Sequence, residues 1–150
     1  MKTVTKRKTT KRILVVEDDK QLASALCIRL QAAGYEAITA TDGFKGIAAA
    51  MEDRPDLIVM DIWLPGTIGF AVAQRLKDVG LEAVPIIFTT ASKKENLWRM
   101  AQEVGAIAFF EKPYDTEKLL AAITHELMPV SGQLRWLDEH LKNPGQRKQT

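Results

Sequence analysis

The sequence has few of the residues on which several protein classes depend. Cys27 is its only cysteine, and its two histidines, His125 and His140, lie far apart without a partner motif. An internal disulfide and a thiolate metal cluster are therefore excluded, and nothing indicates histidine catalysis. No apolar run approaches the roughly 20 residues that span a bilayer, and the basic N-terminus lacks the apolar segment of a signal peptide. We therefore expect a cytoplasmic protein with no membrane segment.

Positive charge is scarce outside the N-terminus. Of the 21 basic residues, six fall in the first 12 positions, where there is no acidic residue, so the other 15 face 19 acidic residues and give that part a net charge of −4. We expect residues 1–11 to form a disordered basic tail. Because this tail has no aromatic residue and no flanking DNA-binding motif, we do not expect direct nucleic-acid binding.

Asp61 directly follows an unbroken apolar run. Leu57 to Met60 are apolar at every position, which is typical of a central parallel strand buried on both faces. Pro65 cannot continue such a strand. In open α/β sheets, ligands bind beyond the carboxyl ends of the strands, so the pattern favours a functional position for Asp61.

Strand-like and helix-like segments alternate five times along the chain. This alternation predicts one doubly wound α/β domain over residues 12–129, with a parallel sheet covered on both faces. The predicted strands are 12–16, 35–40, 57–60, 84–89 and 107–110, and the predicted helices are 20–33, 46–51, 70–79, 93–104 and 116–128.

Residues 130–150 are predicted to form a C-terminal extension with one short extra helix. The segment 133–142 carries Leu134, Leu137 and Leu141 at helical spacing, together with Trp136. These apolar side chains need a surface, so we expect the helix to pack on the domain or on a second subunit.

Chemically useful side chains follow four of the five predicted strands: Glu17 and Asp18, Asp61, Thr90, and Lys112. In a parallel sheet these strand ends share one edge, so the side chains can converge. Three adjacent carboxylates repel one another unless a cation lies among them, and oxygen-only ligands suit Mg²⁺. With Lys112 and Thr90 available for phosphoryl oxygens, Asp61 could act as a nucleophile that holds a phosphoryl group as an acyl phosphate.

The order of these motifs resembles the receiver domain of two-component response regulators over about residues 11–128. The motifs are the acidic run 17–19 after an apolar strand, Asp61 followed by Leu64-Pro65, Thr90-Ala91, and Lys112-Pro113. The resemblance implies a flavodoxin-like sheet with strand order 2-1-3-4-5. It also implies phosphorylation of Asp61 in a Mg²⁺-dependent reaction. The donor would be a phosphohistidine on a sensor histidine kinase or a histidine phosphotransfer protein.

The resemblance also implies a role for each site residue. Asp18 and Asp61 match the Mg²⁺ ligands, together with the backbone carbonyl of Trp63, and Glu17 matches an acid that reaches the metal through water. Lys112 matches the lysine that pairs with the phosphoryl group.

Switching and output are implied in the same way. Thr90 matches the switch hydroxyl and Phe109 the aromatic residue that rotates with it. The usual output face comprises strands and helices 4 and 5, where receivers often form homodimers when phosphorylated. Trp98, on the fourth predicted helix, would either pack against the sheet or, if exposed, anchor an output protein there.

The chain departs from the family pattern at two places near Asp61. The loop 66–69 has Ile68 where many receivers have an acidic residue, and Trp63 is large for a position that flanks the phosphoryl group. Ser92, two residues after Thr90, is small and uncharged. We expect Trp63 to shield the acyl phosphate, so that Trp63→Asn would shorten its lifetime.

Three other interpretations remain open. Haloacid-dehalogenase phosphatases also use a nucleophilic aspartate, but they place a second acid where this chain has Trp63; we therefore expect phosphoryl acceptance and slow self-dephosphorylation, and no enzyme acting on separate substrates. The chain could be an interaction module that is not phosphorylated. It could also be a receiver from a larger regulator or hybrid kinase, in which case residues 131–150 would be a linker.

Overall fold

A five-stranded parallel sheet forms the centre of the computed structural model, which describes residues 10–94 and 96–129. Its strands lie in the order β2-β1-β3-β6-β7. The numbers 4 and 5 are missing from this order because β4 and β5 form a separate two-stranded antiparallel hairpin. Counted over the five main strands, this is the predicted order 2-1-3-4-5, which is confirmed. The strands are β1 (Arg12–Val16), β2 (Glu36–Ala40), β3 (Leu57–Asp61), β4 (Trp63–Leu64), β5 (Thr67–Ile68), β6 (Ile86–Thr90) and β7 (Ala108–Glu111).

Helices cover both faces of the sheet. Alternate residues of the central strands enter opposite apolar clusters, so that Leu14 and Ile58 face one layer while Ile13 and Val59 face the other. The predicted doubly wound α/β class is therefore confirmed. The helices are α1 (Lys20–Ala32), α2 (Gly43–Asp53), α3 (Gly69–Asp78), α4 (Leu97–Glu103) and α5 (Thr116–Leu127).

The fourth helix is shorter than predicted. The sequence predicted a helix over residues 93–104, and its start was wrong. Helix α4 begins at Leu97, and Lys93 and Lys94 lie in the loop after β6. Ser92 explains the difference, because its Oγ accepts the Lys94 N–H at 3.4 Å while its own N–H bonds the Thr90 hydroxyl at 3.1 Å. Such local side-chain bonds offer the backbone an alternative to a helical turn.

The β4–β5 hairpin is a feature that the sequence did not predict. Trp63 pairs with Ile68 across it, and Gly66 turns the chain with a φ of +75°. Gly69, which starts α3, lies so close to β3 that a Cβ atom there would be 2.6 Å from the Asp61 carbonyl oxygen. A glycine is therefore needed for the hairpin to bring α3 back against the end of β3.

Some predictions concern residues outside the described ranges. They include most of the basic tail 1–11 and the helix 133–142, which stay predictions. Among the described residues, Cys27 packs against the apolar layer of α1 and α5, and burial raises the pKa of its thiol. No helix within the described ranges is both long and apolar enough to cross a membrane.

Candidate functional site

Three carboxylates meet where β1 and β3 end. Glu17 and Asp61 are only 5% and 6% exposed, whereas Asp18 is open to solvent. One carboxylate oxygen from each residue lies within 4.8 Å of the others. The parallel register pairs Val16 with Met60, so Glu17, which follows β1, and Asp61, which ends β3, emerge side by side. The predicted convergence of the three acids is thus present in the fold.

Lys112, which directly follows the outermost strand β7, brings a positive charge into this cluster. Its Nζ lies 2.7 Å from Asp61 Oδ2 and also donates to Glu17. The backbone helps to place it, because the Lys112 N–H donates to the Thr90 carbonyl oxygen at 2.7 Å, just beyond the pairing of β6 with β7. The following peptide bond, Lys112–Pro113, is cis.

Burial and charge adjust the ionisation of the cluster. Burial raises the pKa of Glu17 to about 7, against the opposing hydrogen bond from Lys112 and with further help from the Asp61 charge. Burial also lowers the pKa of Lys112, but hydrogen bonds and charges from Asp61 and Glu17 outweigh it and raise the pKa above its usual value. Lys112 therefore stays protonated at neutral pH. Burial likewise raises the pKa of the nearby Tyr114 hydroxyl.

The donor set fits a hard divalent cation. Glu17, Asp18 and Asp61 offer oxygen atoms only, at mutual distances that allow one ion to contact all three. Mg²⁺ takes a few carboxylate oxygens and completes its shell with water, and the exposed side of Asp18 leaves room for that water. When Glu17 is ionised, Lys112 balances only one of the three carboxylate charges, and a cation would relieve the repulsion that remains.

Thr90 and Phe109 lie behind the cluster, on β6 and β7. Thr90 is fully buried, and its hydroxyl accepts the Ser92 N–H. Phe109 is half-buried and faces Trp98, with ring centroids 5.7 Å apart. Trp98 is also 41% exposed. It therefore packs against the domain through Phe109 and leaves part of its surface exposed on α4. Its role as an anchor for an output protein stays a prediction.

Trp63 lies at the rim of the cluster. Its N–H donates to Asp61 Oδ1 at 3.0 Å, while its side chain is 41% exposed. Lys94 places its Nζ 5.1 Å from the centroid of the Trp63 ring. Sequence reasoning missed Lys94, because a lysine in a polar segment is normally solvated and carries no signal of a contact with a distant loop.

A family model matches most of the chain. The model of the response regulator receiver domain matches residues 13–124, which is most of the chain and includes every carboxylate of the cluster. The chain belongs to the receiver family. It is thus homologous to the phosphoacceptor domains of two-component response regulators, and the resemblance drawn from its motifs is confirmed.

Individual relatives place this receiver among both long and short regulators. It is 37% identical over 113 residues to the DNA-binding dual master transcriptional regulator RpaA of Synechocystis sp., covering 75% of this chain and 47% of RpaA. It is 34% identical over 113 residues to protein PilH of Pseudomonas aeruginosa, covering 75% of this chain and 93% of PilH. The receiver thus spans about half the length of the first of these relatives and nearly all of the second.

A solved structure agrees with the fold. The chemotaxis response regulator CheY4 of Vibrio cholerae superimposes with a TM-score of 0.72 at 29% identity, covering 79% of this chain and 100% of CheY4. The flavodoxin-like topology of the receiver is therefore established by its strand order and by this similarity.

Proposed function

We propose that Asp61 accepts a phosphoryl group from a phosphohistidine on a sensor histidine kinase or a histidine phosphotransfer protein. The observation that carries this proposal is the placement of the Asp61 carboxylate, which is held by Lys112 Nζ on Oδ2 and by the Trp63 N–H on Oδ1 inside a cluster of three acids. A buried carboxylate with fixed donors on both oxygens is oriented for attack in one direction. Membership of the receiver family supports the same role.

The transfer forms one bond and breaks another. An oxygen of Asp61 attacks the phosphorus, the P–N bond to the donor imidazole breaks, and the imidazole keeps the electron pair and takes up a proton. Lys112 remains charged, so it can pair with the negatively charged phosphoryl oxygens when the group is bound to Asp61. Mg²⁺ held by Glu17, Asp18 and Asp61, together with the backbone carbonyl of Trp63, would offset the charge of the carboxylates and of the incoming phosphoryl group.

Switching follows from the residues behind the cluster. In the proposal, the Thr90 hydroxyl, whose oxygen now accepts the Ser92 N–H, donates its proton in a hydrogen bond to a phosphoryl oxygen, and Phe109 moves with it. Phe109 already contacts the exposed Trp98, so a movement of Phe109 would reach α4 directly. The surface around Trp98 would therefore bind the output protein or a second copy of the chain.

The same proposal specifies the cellular compartment of the protein and whether it acts on separate substrates. A phosphohistidine donor of this kind places the receiver in the cytoplasm. The chain then acts as a stoichiometric acceptor, because the position two residues after Asp61 is Trp63, whose side chain has no acid to act on a separate substrate.

The proposal predicts a labile adduct on Asp61. Incubation with Mg²⁺ and acetyl phosphate should add the mass of one phosphoryl group to the wild-type chain, as measured by intact mass spectrometry. Asp61→Asn should abolish the adduct, and so should a chelator. Asp78→Asn is a matched control, since Asp78 lies on the exposed side of α3, and it should be labelled like the wild type.

Two outcomes would contradict the proposal. One is an adduct that survives Asp61→Asn, because the acceptor would then be another residue. The other is the absence of any adduct in wild-type protein shown separately to bind Mg²⁺, which would favour an interaction module that is not phosphorylated.

A further inference from the structure

Two loops that surround the cluster touch each other through a lysine and a tryptophan. The loop after β3 carries Trp63 and the loop after β6 carries Lys94, whose ammonium lies 5.1 Å from the centroid of the Trp63 ring. A cation within about 6 Å of an indole face is attracted by the ring quadrupole. Both side chains are exposed, so this contact bridges the loops from the outside.

Each partner is tied to a different functional residue. Trp63 donates its backbone N–H to Asp61 Oδ1 at 3.0 Å. On the other side, the Lys94 N–H donates to Ser92 Oγ, and the Ser92 N–H donates to the hydroxyl of Thr90. A continuous line of contacts therefore runs from Asp61 through Trp63 and Lys94 to Thr90.

We propose that Lys94 is a positioning residue that holds the indole of Trp63 beside Asp61 and thereby slows hydrolysis of the acyl phosphate. The inference rests on the proposed function. In hydrolysis, water attacks the phosphorus, the P–O bond to Asp61 breaks, and inorganic phosphate leaves with a proton released. Water needs a free approach to the phosphorus for this step, and an indole fixed at the rim narrows that approach.

The size of the effect follows from a population argument. If hydrolysis proceeds when the indole has moved aside, its rate is proportional to the population of that open arrangement. Loss of an exposed cation–π contact should raise that population, and hence the rate of phosphate loss, about two- to fivefold. Arginine keeps both the charge and the affinity for the ring face, so it should keep the slow rate.

The first test measures the lifetime of the phosphorylated protein. The wild type, Lys94→Met, Lys94→Arg and Lys93→Met are phosphorylated with acetyl phosphate and Mg²⁺, the donor is removed, and intact mass is followed over time. We expect Lys94→Met to lose phosphate about two- to fivefold faster and Lys94→Arg to resemble the wild type. Lys93→Met is the matched control, because Lys93 is exposed and forms no ion pair or ring contact within residues 10–94 and 96–129.

A double-mutant comparison assigns the effect to the pair. Lys94→Met should have no further effect on the lifetime in a Trp63→Leu background, where no indole remains to be held. Equal lifetimes of Lys94→Met and wild type would overturn the inference, and so would an undiminished effect of Lys94→Met in that background.

A measurement on the unphosphorylated protein separates this inference from the proposed function. The Lys94 ε-methylene protons should resonate upfield of those of Lys93 because they lie near the Trp63 ring, and Trp63→Leu should remove that shift. A wild-type chain that shows the shift but accepts no phosphoryl group would overturn the proposed function while the contact stands. A wild-type chain that is phosphorylated but shows no shift would overturn the inference alone.

Discussion

Lys112 is the residue on which the resting state of the cluster depends. It is the cation that the structure places between Glu17 and Asp61, both of which are almost fully buried. Without it, two buried carboxylates would face each other with no cation between them, and desolvation and repulsion would both oppose their ionisation. The same contacts that stabilise the apo protein therefore keep Lys112 charged and ready for a phosphoryl group.

Lys112→Met should destabilise the protein when Mg²⁺ is absent. The methionine keeps most of the side-chain volume but leaves the Asp61 and Glu17 carboxylates without their donor, which should lower the free energy of unfolding by roughly 1–3 kcal/mol. Urea unfolding in the presence of a chelator measures the change. Lys93→Met, which removes an exposed lysine, should change stability little. A Lys112→Met protein as stable as this control would show that the ion pairs contribute nothing net.

The N-terminal caps of the helices determine how the chain turns at the carboxyl edge of the sheet. Of the five helices within the described ranges, three begin after an aspartate whose side chain accepts one or two backbone N–H groups of the first turn, namely Asp19, Asp42 and Asp115. These caps fix where the chain leaves each strand end and enters a helix. Asp19 directly follows Asp18, so the cap of α1 also holds the acidic run in place.

The cap of α2 offers a test away from the cluster. Asp42 Oδ1 accepts the Lys45 N–H at 2.7 Å. Asp42→Ala should therefore lower the free energy of unfolding by about 1 kcal/mol, while Asp42→Asn retains an acceptor and should lose only a fraction of that. Thermal unfolding of the two variants measures both losses in the free energy of unfolding. Equal losses would mean that the hydrogen bond from the Lys45 N–H is not the source of the stability.

Elements with a strong repeating pattern were predictable from the sequence, and contacts between loops were not. The run Leu57 to Met60 is buried at every position, and the acids that follow two strands converge as the parallel topology requires. The β4–β5 hairpin was missed because two-residue strands have no periodicity, and the late start of α4 because Ser92 competes with helical bonding. The contact of Lys94 with Trp63 joins residues 31 positions apart, which no local pattern encodes.

At the scale of the whole molecule, the negative charge that suits the cluster for binding a cation also lowers the stability of the folded chain. Three acids lie together and only two of them, Glu17 and Asp61, pair with Lys112, so negative charge remains in excess whenever Glu17 is ionised. This excess opposes folding, but it is also the reason for the site to attract a divalent cation. A ligand that binds the folded chain and not the unfolded chain stabilises the fold by mass action. The free energy of unfolding of the receiver should therefore depend on the Mg²⁺ concentration.

Asp18→Asn should remove the stabilisation by Mg²⁺ without changing the stability of the Mg²⁺-free protein. In wild type, Mg²⁺ at about 100 times its dissociation constant should add about 2.7 kcal/mol to the free energy of unfolding, which is roughly 5–10 °C in Tm for a domain of this size. Asp18 is exposed and forms no ion pair within the described ranges. Replacing it with asparagine should therefore remove most of the Mg²⁺-dependent rise without lowering the Tm measured in chelator. Asp78→Asn should keep the full rise. If Asp18→Asn lowered the Tm in chelator and kept the Mg²⁺-dependent rise, Asp18 would be a structural residue and the cation would bind elsewhere.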